Sequence, residues 1–194
     1  MRVFVALDLE ESLRQNIDQY LCGLARFAPD ARWAKPDALH VTLKFIGEQP
    51  HEKVSEIRKV LETIHFQPIS LEVRGCGFFP TLPAARVFWL GIAAAPELAS
   101  LASAIDAYLS PLGISREQHA FTPHLTLART GSGAPRPRRE GKSGTKFQGL
   151  QERLSAMPPP DFGTMTAREF FLYESKLSPQ GSRYTKLASF PLRG

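Results

Sequence analysis

The chain has 194 residues and a mass of 21.6 kDa, with 43% hydrophobic residues, 22% charged residues and a formal net charge of +5. This is the composition of one ordinary folded domain, and it excludes disorder along the whole chain. No apolar run approaches the roughly 20 residues of a membrane-spanning helix, and the opening MRVFVALDLEESL lacks the basic-then-apolar layout of a secretory leader. Cys22 and Cys76 are too few for a disulfide framework or a structural zinc cluster, so two thiols in a reducing cytoplasm are expected.

Residues 2–9 (RVFVALDL) read as a strand. A helix follows, with Leu13, Ile17, Tyr20, Leu21 and Leu24 on one face and Ser12 placed to cap it. Pro29 and Pro36 mark a loop that holds Trp33. Residues 39–46 alternate as a strand does, and a second helix presents Val54, Ile57, Val60, Leu61 and Ile64. Strands are expected at 69–79 and 86–92, then a helix through Leu98, Leu101, Ile105 and Leu109. Residues 121–128 form a strand entered through Pro123. Segment 131–147 is a Gly/Pro/Ser-rich loop with Arg136, Arg138, Arg139, Lys142 and Lys146 against Glu140 alone, so it carries +4 of the net +5. It reads as a solvated surface insertion or as a loop that helps hold a polyanion such as RNA. A short apolar stretch around Leu150 and Leu154 precedes Pro158–Pro160, and strands at 168–175 and 184–190 close the chain. No GxGxxG or GxxxxGK[ST] follows any strand, so a dinucleotide site or P-loop has no support.

The chain repeats itself. His40-Val-Thr-Leu and His124-Leu-Thr-Leu lie 84 residues apart, and the same shift lays Phe4-Val-Ala-Leu on Phe88-Trp-Leu-Gly and the first helix on the third. A further slip of about 14 residues matches strand 69–79 to strand 168–175. Strand, helix, loop and H-x-T-L strand thus occur twice in one order. A duplicated unit implies two lobes about a pseudo-two-fold axis, with equivalent residues facing each other there.

On a strand, residues i and i+2 share a face. His40 and Thr42 therefore share one face, with Val41 and Leu43 behind; His124 and Thr126 repeat the pattern. Zinc wants three or four ligands and threonine is a poor one, so metal binding fits badly. The G-x-S-x-G elbow of a serine nucleophile is absent. General acid–base phosphoryl transfer fits better. One imidazole takes a proton from the nucleophile, and the other gives one to the leaving oxygen on the far side of phosphorus. The hydroxyls of Thr42 and Thr126 can donate to non-bridging oxygens, and Arg129 can add a charged contact. The symmetry of the repeat leaves open which histidine does which. Phe45, Trp33 and Tyr184 are candidates for stacking on a base, although on a regular strand Phe45 faces away from His40. Phe78 and Phe79 read as core, and His51, His65 and His119 as surface or loop residues.

The paired HVTL and HLTL tetrapeptides resemble the 2H phosphoesterases, and within them the RNA 2′,3′-cyclic phosphodiesterases long called 2′-5′ RNA ligases. RVFVALDL, LHVTLKFIGE, VFWLGI, FTPHLTLAR and YTKLASFPL extend the resemblance over nearly the whole chain; loop 131–147 is the main departure. The resemblance implies one α+β domain over 1–194, bilobal and pseudo-symmetric, with antiparallel sheets lining a central cleft and helices outside. It implies metal-independent hydrolysis of an RNA 2′,3′-cyclic phosphate to a 2′-phosphate; a monomer without a cofactor is expected. It assigns His40 as the acid and His124 as the base, and reversal of the same steps would give 2′-5′ ligation. The alternatives are a 2H enzyme for another phosphodiester, such as a 2′-5′ oligonucleotide or a small cyclic nucleotide, and a nucleotide-binding module without turnover.

Overall fold

A computed structural model describes residues 1–130, 146–178 and 181–193. The elements run β1 (Arg2–Asp8), α1 (Glu11–Leu24), β2 (Ala31–Trp33), β3 (His40–Glu48), α2 (His51–Leu61), β4 (Ile69–Phe79), β5 (Val87–Ala94), α3 (Pro96–Leu109), β6 (His124–Thr130), α4 (Gln148–Ser155), β7 (Asp161–Ala167), β8 (Glu169–Ser178) and β9 (Gly181–Pro191). They form two antiparallel sheets, ordered β3-β1-β8-β9 and β2-β6-β5-β4-β7. The architecture is the expected α+β one. Among the described residues no helix is long and apolar enough to cross a membrane.

The sheet orders give the internal repeat a physical form, though one residue off the expected register. Against the two H-x-T-L strands Asp8 stands opposite His40 and Gly91 opposite His124, so in matching β1 to β5 Phe4 corresponds to Val87 rather than Phe88. β1 lies between β3 and β8, as β5 lies between β6 and β4. β3 and β6 are the two H-x-T-L strands. β4 and β8 are the strands that the 14-residue slip aligns, and each sits in the sheet whose other repeat strands come from the opposite half of the chain. The halves therefore exchange their third strands.

β1 explains its own apolar run. As an inner strand it is covered on both faces: Val3, Val5 and Leu7 join the main core, while Phe4 and Ala6 pack with Phe171 and Tyr173 in a second cluster, flanked by Tyr184. α1 buries Leu13, Ile17, Leu21 and Leu24, and α3 buries Leu98, Leu101, Ala102, Ile105 and Leu109, so the helical periodicities hold.

Three expectations need correction. Ser12 does not cap α1: the helix begins at Glu11, and Glu10 stands at the cap without a side-chain hydrogen bond. The carboxylate beside this end is that of Asp8, which takes the Leu9 amide at 2.9 Å. β2 and β7 were not expected; β2 is too short to show a period, and β7 carries Gly163 at φ +84° and few apolar residues. The basic segment 131–147 lies outside the described residues except for its last two. Of these, Phe147 is fully buried, 5.4 Å from the Phe78 ring, so it belongs to the core rather than to a loop.

Candidate active site

His40 and His124 each stand first in a strand. The chain just before each makes the same contact: Nδ1 of His40 donates to the Ala38 carbonyl at 2.8 Å, and Nδ1 of His124 to the Thr122 carbonyl at 2.7 Å. A carbonyl can only accept, so the neutral imidazole carries its proton on Nδ1 and leaves Nε2 as the free basic nitrogen. The repeat thus fixes both rings in one tautomer and one orientation.

Beyond each histidine the strands share an irregularity. The register of β3 on β1 pairs Thr42 with Ala6 and Lys44 with Val5, so Leu43 is extra; β6 on β5 pairs Thr126 with Trp89 and Ala128 with Phe88, so Leu127 is extra. Each is a β-bulge, which inserts a residue and reverses the facing of the residues just after it. Leu43 and Lys44 are consecutive buried residues, as are Leu127 and Ala128. The next residues, Phe45 and Arg129, return to the face of the histidines. The expectation that Phe45 points away from His40 is therefore wrong: Phe45 is 58% exposed and its ring lies 6.1 Å from Phe4, the same ring that packs on His40 at 4.7 Å. Phe45 and Arg129 are equivalent positions of the repeat. Arg129 Nη2 donates to Thr126 Oγ1 at 3.4 Å.

β3 and β6, the two strands that carry the motifs, lie against one another. Arg129 is near enough for its charge to act on His40. His40 is enclosed by Phe4, Tyr184 at 5.0 Å edge-on and Tyr173 at 6.1 Å. Burial drives its pKa down to about 4; the Ala38 carbonyl and the Asp8 carboxylate oppose that, while Arg129 and Arg14 reinforce it. Asp8 is the cross-strand partner of His40. Burial alone would raise the Asp8 pKa, but hydrogen bonds from Lys186 and the Leu9 amide and the charge of Arg14 hold it below the ordinary carboxylate value. Lys186 also sits over the Phe171 ring at 4.0 Å.

His124 has a different surround. Phe79 meets it edge-on at 5.2 Å and stacks on Trp89 at 5.0 Å. Trp89 crowds Gly77, its cross-strand partner, where a Cβ would stand 2.3 Å from the indole ring. Of the sequence candidates, His40, Thr42, Phe45 and Tyr184 gather on one sheet, and His124, Thr126 and Arg129 on the other. Trp33 does not join them. It pairs with buried Ala128, packs edge-on against Phe88 at 6.0 Å and donates from Nε1 to the Ala28 carbonyl at 3.1 Å, all on the core side. Phe78 is core, stacked on Phe88 at 5.1 Å, but Phe79, one residue on, belongs to the site. Phe4, Asp8, Tyr173, Lys186 and Trp89 were missed; their signal was alternation within β1, β5, β8 and β9, which a single strand cannot assign to one face or the other. Among the described residues no three His, Cys, Asp or Glu side chains gather as a metal site.

Two sheets that each open a bulged strand with an anchored His-x-Thr define a two-histidine phosphoesterase, and comparison with known proteins agrees. The chain belongs to the LigT-like phosphoesterase family, whose sequence model matches residues 7–89 and again residues 90–184, once for each repeat. The RNA 2′,3′-cyclic phosphodiesterase of Archaeoglobus fulgidus is 32% identical over 190 residues, covering 98% of this chain and 99% of that one. The protein of that name from Thermotoga maritima is 30% identical over 196 residues, covering 100% and 97%. Among solved structures, Escherichia coli LigT complexed with 3′-AMP superimposes with a TM-score of 0.78 at 28% identity, covering 100% and 98%. TT0787 of Thermus thermophilus gives 0.79 at 29%, covering 100% and 99%.

Proposed function

We propose that this protein hydrolyses the 2′,3′-cyclic phosphate at an RNA end to a 2′-phosphate by general acid–base catalysis between His40 and His124. The observation that carries the mechanism is the matched pair of imidazoles, each anchored through Nδ1 on a backbone carbonyl at the start of a strand that carries a threonine two residues on. The substrate class is supported by the full-length relatives that bear this activity in their names.

In this reading water attacks phosphorus and loses its proton to Nε2 of His124. The bond from phosphorus to the 3′ oxygen breaks, and Nε2 of His40 supplies the proton that oxygen needs. Thr42 and Thr126 donate to the non-bridging oxygens, and Arg129 sets a positive charge beside them. In the free protein burial keeps His40 neutral at neutral pH. An anionic phosphate beside the ring favours the imidazolium, so His40 takes up its proton as the substrate arrives. Asp8 acts in the same sense. The reverse sequence joins a cyclic end to a 5′-hydroxyl in a 2′-5′ linkage.

The test is a short RNA ending in a 2′,3′-cyclic phosphate, incubated in excess EDTA and followed by phosphorus NMR. A 2′-phosphate is expected, with His40→Ala and His124→Ala each roughly 100- to 10,000-fold slower. A 3′-phosphate would reverse the roles of the two histidines. An untouched cyclic end would refute the activity, and a rate lost in EDTA and restored by zinc would refute the mechanism.

A further inference from the structure

Sheet pairing places two arginines directly opposite one another at the end of the site face. β2 pairs with β6 so that Trp33 meets Ala128 and Arg32 meets Arg129. Residues directly opposite on an antiparallel pair point to one face, with Cα atoms about 5 Å apart. Arg32 therefore shares the face that the bulge at Leu127 gives Arg129, one strand farther out. The position of β2 is fixed rather than incidental: Trp33 is anchored in the core, and the Ala34 amide donates to the carbonyl of the bulged Leu127 at 2.7 Å. Like charges directly opposite destabilise a strand pair. Such repulsion is ordinarily relieved by a carboxylate, yet among the described residues neither guanidinium makes an ion pair with an acidic group. Both are exposed.

We propose that Arg32 binds the phosphodiester one nucleotide upstream of the cyclic end, so that Arg129 meets the reacting phosphate and Arg32 the next one along the RNA chain. The inference rests on the proposed reaction. A nucleoside 2′,3′-cyclic phosphate has no upstream phosphate and cannot use this contact; an oligonucleotide can. Arg32 thus acts on substrate length, not on bond cleavage.

The experiment compares wild type, Arg32→Gln and Arg32→Lys on a nucleoside 2′,3′-cyclic phosphate and on a pentanucleotide ending in the same group. For Arg32→Gln the KM of the pentanucleotide should rise about fivefold, the upper range for an exposed ion pair. Its kcat and both constants for the nucleoside substrate should stay within about twofold. The slope of log affinity for the pentanucleotide against log salt should fall by about 0.7, one single-strand phosphate contact. Arg32→Lys should recover most of the affinity. Equal losses on both substrates, or no loss on the pentanucleotide, would overturn the proposal. The affinity of a pentanucleotide ending in a 3′-phosphate, read by fluorescence anisotropy, gives the same comparison without turnover. If wild type cleaved neither cyclic substrate the reaction would be refuted, while a fivefold anisotropy difference would still establish the Arg32 contact.

Discussion

Lys44 is 2% exposed, and its ammonium donates to Asp106 Oδ1 and to the Ser115 carbonyl, each at 2.6 Å. It is the second buried residue of the β3 bulge, and it ties that bulge to α3. Its repeat equivalent is Ala128, so the first half of the molecule has an ion cluster where the second half has a methyl. Lys44→Met keeps the apolar stem and removes the charge. Breaking a buried pair from one side costs about 3–5 kcal/mol, because the remaining charge is left without its partner. Here Asp106 keeps Arg116 Nε and the Glu117 amide, each at 3.0 Å, which places the expected loss at the lower end, about 3 kcal/mol. For a chain of this length that is a fall in Tm of roughly 6–12 °C, measured by calorimetry at neutral pH. Lys44→Met with Asp106→Leu should recover more than half of it, since a buried pair replaced by apolar groups is often near neutral. A single variant that melts within about 1 °C of wild type, or a double variant that shows the sum of the two single losses, would refute the assignment of this cluster as a coupled buried pair.

Acid stability should report His40. With its folded pKa at about 4 against an ordinary value near 6.5, the unfolded chain binds the extra proton between those limits, so stability falls as pH is lowered through that window, by up to about 1.4 kcal/mol per pH unit. His40→Asn should flatten that slope in denaturant melts from pH 4 to 6.5, and equal slopes would contradict the burial argument. Gly77→Ala should displace the Trp89 ring, because the new Cβ falls 2.3–2.9 Å from three of its atoms; a loss of about 1–3 kcal/mol and a changed tryptophan emission are expected, and an unaltered spectrum would count against it. Asp8→Asn removes the carboxylate that favours protonated His40, so the pH profile of kcat/KM should move toward acid, and a profile identical to wild type would show that Asp8 does not act on the imidazole.

Much of this site was legible because it is written twice. A single H-x-T-L says little, but two in registered repeats predict two strands, two shared faces and one meeting place. The helices followed from the spacing of Leu13, Ile17, Leu21 and Leu24, and of Leu98, Leu101, Ile105 and Leu109. The lining of the site was less legible. Phe4 and Tyr173 meet only because the halves exchange β4 and β8, and pairing across such a distance leaves no local trace. Phe79 and Phe78 look alike in sequence, and only the pairing of β4 with β5 decides that one ring meets His124 and its neighbour enters the core.

The bulge is the instructive case, because its signal was present in one copy and hidden in the other. Strict alternation from His124 would bury Arg129, an expensive place for an unpaired guanidinium. Leu127-Ala128-Arg129 therefore already reads as two buried residues and a return to the surface, a break in the period of two. In the first copy the same break is disguised, since the second buried residue is Lys44, whose partners lie far along the chain at Asp106 and Ser115. Read through the repeat, Ala128 explains Lys44, and Arg129 explains Phe45. This bears on the chemistry. Two histidines related by pseudo-symmetry cannot by themselves orient a substrate. The direction of the proposed reaction must come from positions where the copies differ. On the site face these include Asp8 opposite His40 where the second copy has Gly91 opposite His124, and a ring at Phe45 where it has the guanidinium of Arg129. The ring suits a base and the guanidinium a phosphate. These asymmetries, the carboxylate beside His40 among them, are what would make one of the two imidazoles the acid.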